Sequence, residues 1–287
     1  MVSVQPLLKR RHDLSECIVW DDVLGVLWWT DIFAATLWQY DPVRNCERSW
    51  VLPSALGSFA LTTTPGVLLL GLRKELARFD TNHDKLEVRV PVEPDLAQTR
   101  INDGRCDRAG NFIFGTTNDG ALHVPGAFYR YTPQGQLSRL DLPSVAIANS
   151  LCFSPDGGTL YYADSPARRI MACDYDSANG QVRRSRVFVE VEHGVPDGSC
   201  VDAEGYLWNA VWGASRVMRY APDGRTDRIL DLPARQPSCV AFGGAAFDTL
   251  YVTSARRDMP DDEQDSGLVY SVTGLGVRGL RECRFDA

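Results

Sequence analysis

Apolar and polar residues alternate at a period of two through most of this chain, in short runs broken by turns rich in Gly, Pro and Asp. That period marks half-buried β-strands, and no 3.6-residue periodicity of useful length competes with it. Two templates recur. In the first, an apolar residue leads through a short polar turn with Gly into an apolar-aromatic run. It reads W-D-D-V-L-G-V-L-W-W from Trp20, T-T-T-P-G-V-L-L-L from Thr62, C-D-R-A-G-N-F-I-F from Cys106, F-S-P-D-G-G-T-L-Y-Y from Phe153, V-D-A-E-G-Y-L-W from Val201 and F-G-G-A-A-F-D-T-L-Y-V from Phe242. In the second, an alternating strand runs into a polar turn: L-W-Q-Y-D-P from Leu37, L-A-R-F-D-T from Leu76, F-Y-R-Y-T-P-Q-G from Phe128, I-M-A-C-D-Y-D from Ile170, V-M-R-Y-A-P-D-G from Val217 and V-Y-S-V-T-G from Val269. Pro presets φ in these turns and Gly supplies positive φ.

Six units of roughly 41–48 residues, each with about four short strands, predict an all-β six-bladed propeller with four-stranded antiparallel blades, one domain over 1–287. A β-sandwich would not explain six copies in phase. Closure of the ring predicts that the N-terminal strand, residues 2–8, pairs into the sixth blade beside residues 276–285 and so removes an exposed edge.

The phase of the repeat singles out a set of positions. Four residues before the first apolar residue of each copy stand Glu16, Ser58, Asn102, Asn149, Asp197 and Ser238. All six are polar, and the innermost strands of a propeller would bring them together around one axis. Strand starts beside turns are often polar, so any one position means little. A ring of carboxylates, however, has no structural need. Glu16 and Asp197 with the amide oxygens of Asn102 and Asn149 suit a hard divalent cation such as Ca²⁺, Mg²⁺ or Mn²⁺. Without a cation, two carboxylates in a narrow channel repel, and one takes a raised pKa. Within residues 195–212, this phase separates Asp197 from Asp202 and Glu204, which fall in a turn and read as solvated.

With 30 basic and 37 acidic residues the net charge is −7. A nucleic acid or an anionic membrane is therefore not the expected partner. No run reaches the ~18 apolar residues of a membrane span, and the N-terminal M-V-S-V-Q-P-L-L-K-R-R lacks the apolar core of a signal peptide. A cytoplasmic protein with reduced core cysteines is expected from its eight scattered cysteines, although an even number would also allow disulfides in a secreted chain. The four histidines are isolated, which gives zinc no spacing motif.

Several segments resemble, in order, the motifs of the SMP-30/gluconolactonase/regucalcin-like sugar lactonases. They are L-S-E-C-I-V-W at 14–20 with L-W-W-T-D-I at 27–32, R-I-N-D-G at 100–104 with F-G-T-T at 114–117, and A-N-S-L at 148–151 with F-S-P-D-G and Y-Y-A-D-S. P-D-G-S at 196–199 with D-A-E-G-Y-L-W follows, then S-C-V-A-F-G-G and L-Y-V-T-S-A. The resemblance spans nearly the whole chain. It implies a six-bladed propeller with one divalent cation (Ca²⁺, Mn²⁺, Zn²⁺, Mg²⁺ or Fe²⁺) held by Glu16, Asn149 and Asp197. It implies substrate contacts at Arg100 and Asn102, and hydrolysis of an aldonolactone to the aldonic acid. The chain departs from the pattern at Ser15, Cys17 and Ile18, where the family has Gly, Gly and Pro, and at Ala148 and Ser150, where it has Pro and Gly.

The chemistry expected is Lewis-acid activation of a lactone carbonyl with Asp197 as general base. Arg100, if not a surface ion pair, and Asn102 would hold sugar hydroxyls. Asn118, Asp119 and His123, in the loop after F-G-T-T, are candidates for the channel entrance, where a purely solvated loop is the alternative. Trp208 and Trp212 read as core, with stacking on a sugar ring as the alternative. G-x-S-x-G is absent and no Cys has a His near it, which argues against covalent catalysis. The expected partner is a small sugar lactone, acted on by a monomer or weak homo-oligomer. Alternatives are a non-enzymatic metal-binding or interaction propeller and an arylesterase-type or organophosphate hydrolase.

Overall fold

The computed structural model describes residues 1–119, 125–260 and 262–286. They form six four-stranded antiparallel sheets, the blades of a propeller. Blades 1 to 5 cover residues 15–51, 56–91, 99–139, 148–190 and 195–231, and blade 6 covers 237–273 together with the N-terminal strand Ser3–Pro6. The first repeat template is the turn joining the two innermost strands of a blade, and the second is the third strand. The only helix among the described residues is the 3₁₀ turn Ser165–Ala167, and none is long and apolar enough to cross a membrane.

Alternation places one apolar row on each face of a blade, and neighbouring blades bury these rows against each other. Trp28 of blade 1 packs with Leu56, Phe59 and Leu70 of blade 2, and Trp208 of blade 5 meets Phe242 of blade 6 edge-to-face at 5.5 Å. Trp28, Trp29 and Trp208 are wholly buried; each such ring removes about 150–250 Å² from water. Trp208 is core, as expected. Trp212, the last residue of its strand, is only half-buried and lines the cavity.

Closure occurs through the N-terminal strand, as the sequence indicates, but with a different partner. Ser3–Pro6 pairs with Tyr270–Thr273. Residues 276–285 instead leave the blade after Gly274 and Gly276, at φ 77° and 76°, and cross the far face of the propeller. There Gly279 bridges to Asp202 and Phe285 to Thr62. Arg284 binds Asp21 and Asp22 at 2.7 and 2.8 Å, and Glu282 pairs with Arg105 at 2.8 Å at the far end of the channel.

All eight cysteines are free thiols. Six are buried, but Cys46 is exposed and Cys283 half-buried, so the thiols are not all core residues. Asp202 is also not solvated. It has no exposed surface and accepts from Trp208 Nε1 at 2.9 Å and from Arg219 Nε and Nη2 at 2.9 and 2.7 Å. Glu204 keeps its side chain half in water while touching the same guanidinium. The turn is acidic because it neutralises a buried arginine. Arg219→Ala would strand the Asp202 charge in the interior, and urea unfolding should show a loss of roughly 3–5 kcal/mol. A loss under 1 kcal/mol would contradict this role.

Candidate active site

Each of the six innermost strands carries a β-bulge at the level of the predicted ring. The register shifts between Glu16 and Val19, Leu56 and Ser58, Ile101 and Gly104, Asn149 and Cys152, Pro196 and Ser199, and Pro237 and Val240. A bulge re-aims side chains that regular pleating would turn away. The outcome is a cavity of ≈ 320 Å³ whose lining includes Glu16, Arg100, Asn102, Asn149, Asp197 and Ser165. Apolar residues from several blades, Phe33 and Trp212 among them, form its upper wall.

Four of the six ring positions thus meet. Ser58 and Ser238 do not line the cavity. Both are fully buried, and their hydroxyls stitch adjacent blades: Ser58 Oγ donates to Gly104 O at 3.0 Å and Ser238 Oγ to Ser15 O at 2.5 Å. Their short side chains are used up in contacts between strands.

The bulges need unusual backbone. Cys17 and Ser150 sit at φ 49° and 61°, a region costly for residues with a Cβ, and they are two of the three positions where the sequence departs from the Gly of the family pattern. Each gains partners in return. Cys17 Sγ lies 3.3 Å from Ser58 Oγ and accepts from Phe59 N at 3.3 Å. Ser150 Oγ donates to Asp197 O at 2.6 Å, and Asn209 Nδ2 donates to the same carbonyl at 3.0 Å. Ser150→Ala keeps the strain and loses the bond, so it should destabilise by ~1–2 kcal/mol, whereas Ser150→Gly also relieves the strain and should cost less. Chemical denaturation of the two variants tests the ranking; equal losses would refute it.

Electrostatics in the cavity are dominated by acids. Burial raises the Glu16 carboxyl to about 8, helped by the charge of Asp103 and opposed by a bond from Cys17 N. Asp197 is pushed well above the usual carboxylate range by burial, then by Glu16 and by Asp103. Asp103 is itself raised by burial, although Leu151 N and Gly104 N donate to it, both at 2.8 Å. Sequence phase missed Asp103. Strict alternation sends it to the opposite side from Asn102, but the bulge between Ile101 and Gly104 leaves both near the axis. The N-D-G run was the available signal.

Arg100 is buried, not a surface residue, and at 6% exposure it needs its partners. Its Nε donates to Asp119 Oδ1 at 2.7 Å and its Nη1 to Asn102 Oδ1 at 2.6 Å. Asp119, at the solvent edge, also accepts from Arg73 at 2.9 Å. Asn118 is buried. Among the described residues neither Asn118 nor Asp119 lines the cavity; Asp119 reaches it through Arg100. His123 lies outside the described residues.

No group of three or more His, Cys, Asp or Glu side chains is arranged to hold a metal ion among the described residues. The cavity offers two carboxyl groups whose charges oppose each other, the half-buried Glu16 and the buried Asp197, beside the Asn149 amide oxygen. This oxygen-only set fits a hard cation, whose charge would relieve the repulsion, with the remaining coordination left to solvent or substrate.

A closed six-bladed propeller with one acidic, amide-lined cavity at its axis defines a class. Residues 14–256 match the SMP-30/Gluconolactonase/LRE-like region family, and the chain belongs to that family. It is 46% identical to an L-arabinolactonase of Azospirillum brasilense, over 89% of this chain and 85% of that protein. It is 35% identical to a 6-deoxy-6-sulfogluconolactonase of Pseudomonas putida, over 99% and 98%. The structure of a calcium-binding protein, regucalcin, from Agrobacterium tumefaciens superposes with a TM-score of 0.94 at 30% identity, over 99% and 98%. The relatives named as lactonases are lactone-ester hydrolases, and this family membership makes the chain an enzyme of that class.

Proposed function

We propose that this enzyme hydrolyses an aldonolactone, a pentono- or hexonolactone such as arabinono-, xylono-, galactono- or gluconolactone, to the aldonic acid in sugar catabolism. One observation carries the reading: residues far apart in sequence, Glu16, Arg100, Asn102, Asn149 and Asp197, converge on one cavity in which the charges of Glu16 and Asp197 oppose each other. Glu16, Asn149 and Asp197 would hold a divalent cation, which when bound supplies Lewis-acid polarisation of the lactone carbonyl. Asp197 accepts the proton of the attacking water, and Arg100 and Asn102 hold substrate hydroxyls. Asp119 orients Arg100 through the 2.7 Å bond. The eight free thiols accord with a reducing, cytoplasmic setting.

The test is acid release at constant pH from a lactone panel, after EDTA treatment and after adding back Ca²⁺, Mn²⁺, Zn²⁺, Mg²⁺ or Fe²⁺. L-Arabinonolactone is the first substrate to try, given the 46% identity to an enzyme of that name. Cation-dependent hydrolysis of at least one sugar lactone is expected. Turnover of aryl esters alone, or hydrolysis indifferent to EDTA, would overturn the reading.

A further inference from the structure

A file of hydrogen bonds crosses three blades along the cavity lining. Arg100 Nη1 donates to Asn102 Oδ1 at 2.6 Å, Asn102 Nδ2 to Asn149 Oδ1 at 3.0 Å, and Asn149 Nδ2 to Ser165 Oγ at 2.9 Å. Ser165 Oγ donates to Pro196 O at 2.7 Å, one residue before Asp197. Arginine can only donate and a carbonyl can only accept, so the two ends give the file one sense.

The serine holds that sense from the Asp197 side. Its hydroxyl has one proton, and Pro196 O takes it. Ser165 Oγ must then accept from Asn149, which commits the amide nitrogen outward and leaves Oδ1 toward Asn102. Asn102 is held in the matching sense from its own side, with Oδ1 accepting from Arg100 and Nδ2 donating to Ala148 O at 2.9 Å as well as to Asn149. Ser165 is 3% exposed, so water does not readily replace it. It belongs to the one 3₁₀ turn described, and its backbone N donates to Ile147 O at 3.1 Å. Asp164 tethers the same corner by accepting from Ala146 N and Ile147 N at 3.1 and 3.2 Å.

We propose that Ser165 is a positioning residue that, together with Asn102 on the other side, holds the orientation of the Asn149 amide and ties Asn149 to the backbone that carries Asp197. This rests on the reading of Asn149 and Asp197 as cation ligands. An amide oxygen has lone pairs for a cation and an amide nitrogen has none. An Asn149 held from the Asn102 side only is less firmly oriented and spends more of its time as a non-ligand.

The test is calorimetric titration of the EDTA-treated full chain with Ca²⁺ and with Mn²⁺, alongside melting curves without cation. Ser165→Ala is expected to weaken cation affinity by roughly 10- to 100-fold, as loss of outer-shell partners does, while the cation-free melting temperature falls by only the few degrees that loss of buried hydrogen bonds brings. Ser165→Thr, which keeps a hydroxyl, should restore most of the affinity. Ser165 and Asn102 are linked through Asn149, so the losses in Ser165→Ala and Asn102→Ala should fall short of multiplying in the double variant. Affinity within twofold of wild type in Ser165→Ala would overturn the proposal. So would losses that multiply, or an affinity loss that merely tracks a fall in cation-free stability. If the wild-type protein binds no divalent cation, the site reading fails together with this proposal, and that outcome shows before any variant is made.

Discussion

Asp197→Asn is expected to lower kcat for lactone hydrolysis by roughly 10²–10⁴-fold and, at the same time, to stabilise the cation-free protein above neutral pH. The two effects have one cause. Asp197 is 6% exposed, and its carboxylate is opposed by burial and by the charges of Glu16 and Asp103. An amide of the same shape removes the repulsion. It also removes the proton acceptor and one proposed cation ligand. The backbone is untouched, because Ser150 and Asn209 hold the Asp197 carbonyl and not its side chain. Lactone hydrolysis would be followed at constant pH and stability by melting in EDTA. Activity within about threefold of wild type would sink the assignment. Loss of both activity and stability would point instead to a residue needed for the fold.

The second large effect is a dependence on pH that a cation should reverse. Glu16 has a folded-state pKa of about 8, raised from 4.5. Between those values the folded cation-free protein binds more protons than the unfolded chain. By linkage its stability must fall as pH rises from 4.5 through about 8. The penalty is absent below the unfolded value and complete above the folded one. Asp197 shifts in the same direction, and the two carboxyls titrate as a pair. The loss should be on the order of a few kcal/mol, a fall of roughly 5–10 °C in melting temperature between pH 5 and 8 in EDTA. A saturating divalent cation should raise stability most at pH 8, and binding near neutrality should release protons. Melting in EDTA that is flat or rising with pH over this window would refute the charge arrangement.

Much of this was legible in the chain because a propeller is written as a repeat. Period-two alternation and six turns in phase specify the blades. That phase located Glu16, Asn102, Asn149 and Asp197, since equivalent strand positions must share one axis. Ser58 and Ser238 obeyed the same phase but were too short to reach the cavity. What lay beyond reading were contacts between segments with no common period. Asp103 reaches the axis through a bulge, which breaks the alternation that any phase argument needs. Ser165 acts from a 3₁₀ turn that follows a strand and belongs to neither template.

The opposite fates of similar residues mark the boundary most clearly. Asp197, Asp202 and Glu204 stand within eight residues of one another. That Asp197 is in phase with the ring can be read from the residues alone, because strand periodicity is a local property. It could not place Asp202, which is buried because Arg219, Trp208 and the C-terminal segment close over it. Burial is decided by what arrives from elsewhere in the chain. The same holds for the course of residues 276–285 across the far face and for the direction of the hydrogen-bond file ending at Pro196. Periodicity determines which way a side chain points. Only the packed blades determine what it meets.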